Sequence, residues 1–69
     1  MDIKELIDDE HEAIRGYEEA LKTEKNREIA KVYRNIIVDE KRHVQMLEKI
    51  KSGELEAMSL FGLGGNQNE

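Results

Sequence analysis

Apolar residues recur along this chain in two helical stripes. Ile3, Leu6, Ile7, Ala13, Ile14, Tyr17 and Leu21 follow three-to-four spacing behind Asp2, a residue type suited to an N-cap, and predict a helix over about residues 3–23. After the polar break KTEKN, Ile29, Val32, Tyr33, Ile36, Ile37, Val44, Leu47 and Ile50 define a second stripe. It stops at Ser52-Gly53, where glycine can take the left-handed C-cap conformation. A short break between two long helices favours an antiparallel hairpin, because neither helix can bury its stripe alone. From Glu54, ELEAMSLFGLGGNQNE begins as a helical turn carrying Leu55 and Met58 and continues as a Gly-rich polar tail. The division expected is therefore a helical hairpin over 1–53 and a turn with a flexible tail over 54–69. Two helices cannot surround a core, whereas two hairpins make a four-helix bundle. The expected fold is all-α: an antiparallel two-helix hairpin that dimerises into a four-helix bundle, as a homodimer or a higher assembly of dimers.

Length sharpens that expectation. In 69 residues a single core supplies only about 3 to 5 kcal/mol, so the fold needs a further staple. With no cysteine in the chain, disulfides and thiolate metal sites are excluded, leaving oligomerisation or a metal held by carboxylate and histidine. The net charge of -5 disfavours nucleic acid and anionic membranes and suits cations. No apolar run is long enough for a membrane span or a signal peptide, from which a cytoplasmic location is expected.

Three residues interrupt the stripes. Glu10 lies three residues after Ile7 and three before Ala13; Glu40 is four from both Ile36 and Val44; His43 is four from Leu47 and seven from Ile36. All three point inward by period. Positions 10 and 40 are symmetric about residue 25, inside the break, so the two glutamates are level across the hairpin. His43 lies one turn from Glu40 on the same face, and Tyr17 and Tyr33 mirror each other about the same centre. Burying uncompensated carboxylates costs several kcal/mol each. A carboxylate opposite Glu-x-x-His at i, i+3 is the ligand set of di-iron and di-manganese bundles, and zinc also suits such ligands. One hairpin supplies half of such a site, so metal binding and assembly are expected to be coupled. His11 is off the stripe centre and reads as solvated. Asp8, Asp9, Glu12, Glu18 and Glu19 form a charged outer face, within which Asp9 and Glu12 are candidates for an outer cation site.

The stretches DEHEAIRGY, KTEKNREI and DEKRHVQML resemble ferritin-like proteins of the rubrerythrin group, and most closely the two-helix encapsulated ferritins. The resemblance spans about Leu6 to Ile50. It rests on a glutamate seven residues before a tyrosine, Glu10 and Tyr17, followed thirty residues on by an acid-acid-x-x-His motif, Asp39, Glu40 and His43. The resemblance implies a ferritin-like bundle with a ferroxidase centre completed between two chains. Glu40 from each chain would bridge two irons, with Glu10 and His43 as terminal ligands and Tyr17 in the surrounding shell. Asp9 and Glu12 fall where those relatives carry iron-attracting acids. The resemblance further implies Fe(II) and O2 as reactants, iron storage, and residence inside an encapsulin nanocompartment. Gly16 departs from the tryptophan that often precedes the tyrosine. SLFGLGG is broadly similar to the C-terminal peptides that dock cargo onto an encapsulin shell, or to a linker into a shell protein. Two rival functions accompany this one: peroxide or oxygen scavenging as in rubrerythrins, whose usual cysteine-ligated iron domain has no counterpart here, and a non-catalytic helical oligomerisation module.

Overall fold

The computed structural model describes residues 2–54. Among them are two helices, α1 (Ile3–Thr23) and α2 (Arg27–Ser52), packed along each other as a hairpin, and no strand. The expected turn around Leu55 and Met58 and the Gly-rich tail lie outside the described residues.

Local chemistry accounts for each helix end. Asp2 and Glu5 form a reciprocal capping box: the Glu5 amide donates to Asp2 Oδ1 at 2.8 Å and the Asp2 amide to Glu5 Oε1 at 3.0 Å. Asn26 Oδ1 accepts from the amides of Glu28 at 2.9 Å and Ile29 at 3.1 Å, satisfying two donors at the start of α2. Gly53 ends α2 in the left-handed region, φ 86°, and its amide donates to the Ile50 carbonyl. The connection is shorter than the KTEKN break, comprising only Glu24, Lys25 and Asn26. Lys22 and Thr23 stay in α1, and Asn26 is already the cap of α2.

The buried core is small. Ile7 and Ile14 of α1 meet Ala30 and Ile37 of α2, all 9% exposed or less. Tyr17 and Tyr33 pack with ring centroids 5.8 Å apart, as their mirrored positions predict. The single stripe read along α2 is in fact two. Ala30, Tyr33, Ile37, Val44 and Leu47 turn toward α1 and are buried or half-buried, whereas Ile29, Val32, Met46 and Ile50 remain exposed and Ile36 half-buried. The exposed set precedes the covered one by one residue, Ile29 before Ala30, Val32 before Tyr33, Ile36 before Ile37 and Met46 before Leu47. The same offset holds on α1, with Leu6 before Ile7, Ala13 before Ile14 and Ala20 before Leu21. One residue is about a 100° turn of helix, and the helices run in opposite directions, so both second stripes come to lie on the same broad face of the hairpin.

Candidate metal centre

Glu10 takes a place in the stripe of α1 that covers α2, between Ile7 and Ile14, and Glu40 takes the equivalent place on α2 between Ile37 and Val44. The hairpin therefore presents the two carboxyls to each other at one level. His43, one turn beyond Glu40, closes the group: His43 Nδ1 is 3.1 Å from Glu40 Oε1 and 3.6 Å from Glu10 Oε1. One ligand atom from each of the three residues lies within 4.8 Å of the others. The donor set, two carboxylate oxygens and one imidazole nitrogen, suits a divalent first-row cation.

The group is not sealed inside one hairpin, as inward-pointing residues would be in a closed core. The side chains of Glu10, Glu40 and His43 are 28%, 20% and 45% exposed. The reason is the offset between stripes. His43 follows Ile36 by seven residues and precedes Met46 by three and Ile50 by seven, so it belongs to the uncovered stripe of α2, and the group opens onto the apolar face.

Electrostatics in the group are unbalanced. Glu10 has its pKa raised above the ordinary carboxylate value, first by the hydrogen bond it shares with the Glu40 carboxyl, then by burial and by repulsion from the Glu40 charge, against the attraction of His43. Glu40 is lowered, first by the hydrogen bond from Glu10 and then by His43, in spite of burial. Of the two carboxyls Glu10 is thus the weaker acid and Glu40 the stronger. Glu10 Oε1 is nonetheless buried with no hydrogen-bond partner among the described residues. A buried acceptor without a donor carries its desolvation cost uncompensated, and a cation placed among the three ligand atoms removes that deficit.

The remaining candidates stand apart from this group. Asp9 and Glu12 are exposed on the outer side of α1, and Glu12 lies 3.7 Å from Arg15. Asp39, the first acid of the Asp-Glu-x-x-His motif, is turned away and pairs with Arg42 at 2.8 Å. Tyr17 is half-buried against Tyr33 and makes no side-chain hydrogen bond to the three ligand candidates among the described residues. His11 is exposed. What the periodic reading of the sequence missed is the rim of the site, and the one-residue offset between Ile36 and Ile37 was the signal that carried it.

A family model described as rubrerythrin matches residues 2–51. Comparison with curated proteins gives no match, and comparison with solved structures gives none either. The matched span contains both helices and all three converging side chains, and the chain belongs to the rubrerythrin family, within the ferritin-like proteins, whose domains typically bind iron.

Proposed function

We propose that this protein is a small ferroxidase of the encapsulated-ferritin kind, taking Fe(II) as substrate at a site shared by two copies of the chain. The observation that carries the reading is the convergence of Glu10, Glu40 and His43 at the rim of an uncovered apolar face. Three protein ligands are half of the four-carboxylate, two-histidine set of a two-metal bundle. A second hairpin laid on the apolar face brings the other half to the same level and buries Val32, Met46 and Ile50, which one chain leaves about half exposed. Four glutamates then face two divalent ions, and the charges balance.

In this reading two Fe(II) ions each give one electron to O2, which takes up two protons and leaves as peroxide, and Fe(III) departs for storage. The protein's own groups position and attract. His43 binds through Nδ1, the atom already turned to both carboxylates, and keeps its proton on Nε2. Glu10, the weaker acid of the pair, gives up any proton it holds as the first cation enters, and Glu40, the more acidic and the closer to His43, is the bridging ligand. The exposed acids Asp9 and Glu12, on the outer side of α1, add to the negative field that draws cations to the protein. Residence in an encapsulin compartment is part of the proposal and is supported by the likeness of SLFGLGG to cargo-docking peptides.

Anaerobic calorimetric titration of Fe(II) into metal-free protein is expected to give one tight iron per chain, followed by O2-dependent oxidation that Glu40→Ala abolishes. Absence of tight binding would leave a helical oligomerisation module. The family match favours one rival, peroxide reduction with electrons from a partner protein. It is distinguished by peroxide consumption that outpaces O2 consumption when a reductant is supplied.

A further inference from the structure

Apart from His43, the uncovered face is aliphatic at all but one position. Leu6, Ala13 and Ala20 on α1 and Val32, Ile36 and Ile50 on α2 carry no group that a mild oxidant attacks. Met46 is the exception, and it is the one sulfur-bearing residue among the described residues. It is 51% exposed, on the same stripe of α2 as His43. An exposed thioether is open to oxidation, and the product is no longer apolar.

Its position ties that chemistry to the metal centre. Met46 follows His43 by three residues, about one turn and 4.5 Å of rise along α2. Positions 4 and 46 are symmetric about residue 25, so Met46 lies toward the end of the face far from the loop, two residues from the level of Leu6, itself 38% exposed. Leu6 and Met46 thus form the outer end of the seam that a second hairpin covers. The reaction proposed above releases peroxide one turn of helix away.

We propose that Met46 is a peroxide-sensitive switch on the pairing of two hairpins, and that its oxidation turns the shared site off. Hydrogen peroxide transfers one oxygen atom to the thioether sulfur, giving methionine sulfoxide: the O–O bond breaks, the sulfur gives up two electrons, and the other oxygen leaves as water. Pairing then buries one polar sulfoxide from each chain among aliphatic side chains, which opposes it. The free chain, in which Met46 is exposed, is the form that reacts, and once oxidised it no longer pairs. Its site stays half complete and releases no further peroxide until the sulfoxide is reduced. The proposal rests on the shared-site reading, because that pairing is what the sulfoxide blocks.

Reagent hydrogen peroxide added to the full chain in chelator-containing buffer tests it, read by sedimentation velocity and by peptide mass spectrometry. Conversion of Met46 to the sulfoxide is expected to raise the dissociation constant of the pair by about 100-fold or more. Treatment with methionine sulfoxide reductases for both epimers is expected to restore the pair. Met46→Leu, close in volume and without sulfur, is expected to stay paired through the same treatment, although Met1 and Met58 are present in both proteins. Met46→Gln, polar from the start, is expected to remain single without any peroxide. A wild type that stays paired after treatment, whether Met46 is oxidised or shielded, overturns the proposal, and so does a Met46→Leu variant that comes apart as the wild type does. A wild type already single before peroxide overturns the shared-site reading, and the switch with it.

Discussion

Glu10 is under opposite demands with and without a cation. Without one, the Glu40 carboxyl and burial favour its protonated form and Oε1 has no hydrogen-bond partner among the described residues; with one, it must ionise. Glu10→Gln supplies an amide that donates to Glu40 permanently. The metal-free variant is expected to melt no lower than the wild type, while its Fe(II) affinity falls by at least the ~10–100-fold that even outer-shell substitutions cost. Calorimetry reads both, and a variant that loses stability without losing iron would contradict the assignment. The pH dependence has two limbs. A carboxyl raised by folding binds more protons in the native state than in the unfolded one, so Glu10 makes metal-free stability fall as pH rises from the ordinary carboxylate range to its raised value. Glu40 is lowered, so its contribution is present above its unfolded value and is lost as pH falls through its folded value. Stability of the metal-free protein is expected to peak between the two, with limbs kept shallow by solvent at the open rim. Glu10→Gln is expected to remove the upper limb in melting curves taken against pH.

At the scale of the elements, the helices are specified mostly from their ends. Asn26 satisfies two amides of α2 and fixes where the chain turns. Asn26→Ala is expected to cost about 1 kcal/mol, and Gly53→Ala about 1–2 kcal/mol because an L side chain resists the left-handed region. The two positions lie at opposite ends of α2, so the costs should add in chemical denaturation of the metal-free protein. Exposed pairs such as Lys4–Asp8, 3.2 Å apart, contribute little by comparison. The cap of α1 and the left-handed stop of α2 were legible in Asp2 and Gly53, because capping is a matter of neighbours within four residues, whereas Asn26 lay inside the polar break and its capping of α2 came from the structure.

For the whole molecule, the apolar face separates two accounts. If Val32, 52% exposed, merely faced water, Val32→Glu would alter stability by no more than about 0.5 kcal/mol. If that face receives a second hairpin, the substitution places two charges, one from each chain, in the seam. With two like charges buried there, it is then expected to yield single chains with reduced helicity and less than stoichiometric iron, read by sedimentation, circular dichroism and titration. Val38→Ser is the control. Val38 is more exposed, at 64%, but lies on the charged side, and this variant is expected to keep both mass and iron stoichiometry.

Much of the site was determined by the sequence alone. The 3.6-residue period aims Glu10 and Glu40 toward the partner helix and sets His43 one turn from Glu40, and symmetry about residue 25 sets Glu10 level with Glu40 and Tyr17 level with Tyr33; both are consequences of helix geometry and a short loop. Three things were decided only in the tertiary structure. Which of two adjacent apolar stripes is covered depends on the rotation of each helix in the pair, and Ile36 and Ile37 have the same hydropathy whichever one turns inward. Whether the site is closed follows from that rotation, which leaves His43 on the open side. The opposite pKa shifts of Glu10 and Glu40, and the unpartnered Glu10 Oε1, depend on distances of a few ångströms across the hairpin, where a small shift changes both desolvation and the interaction between charges.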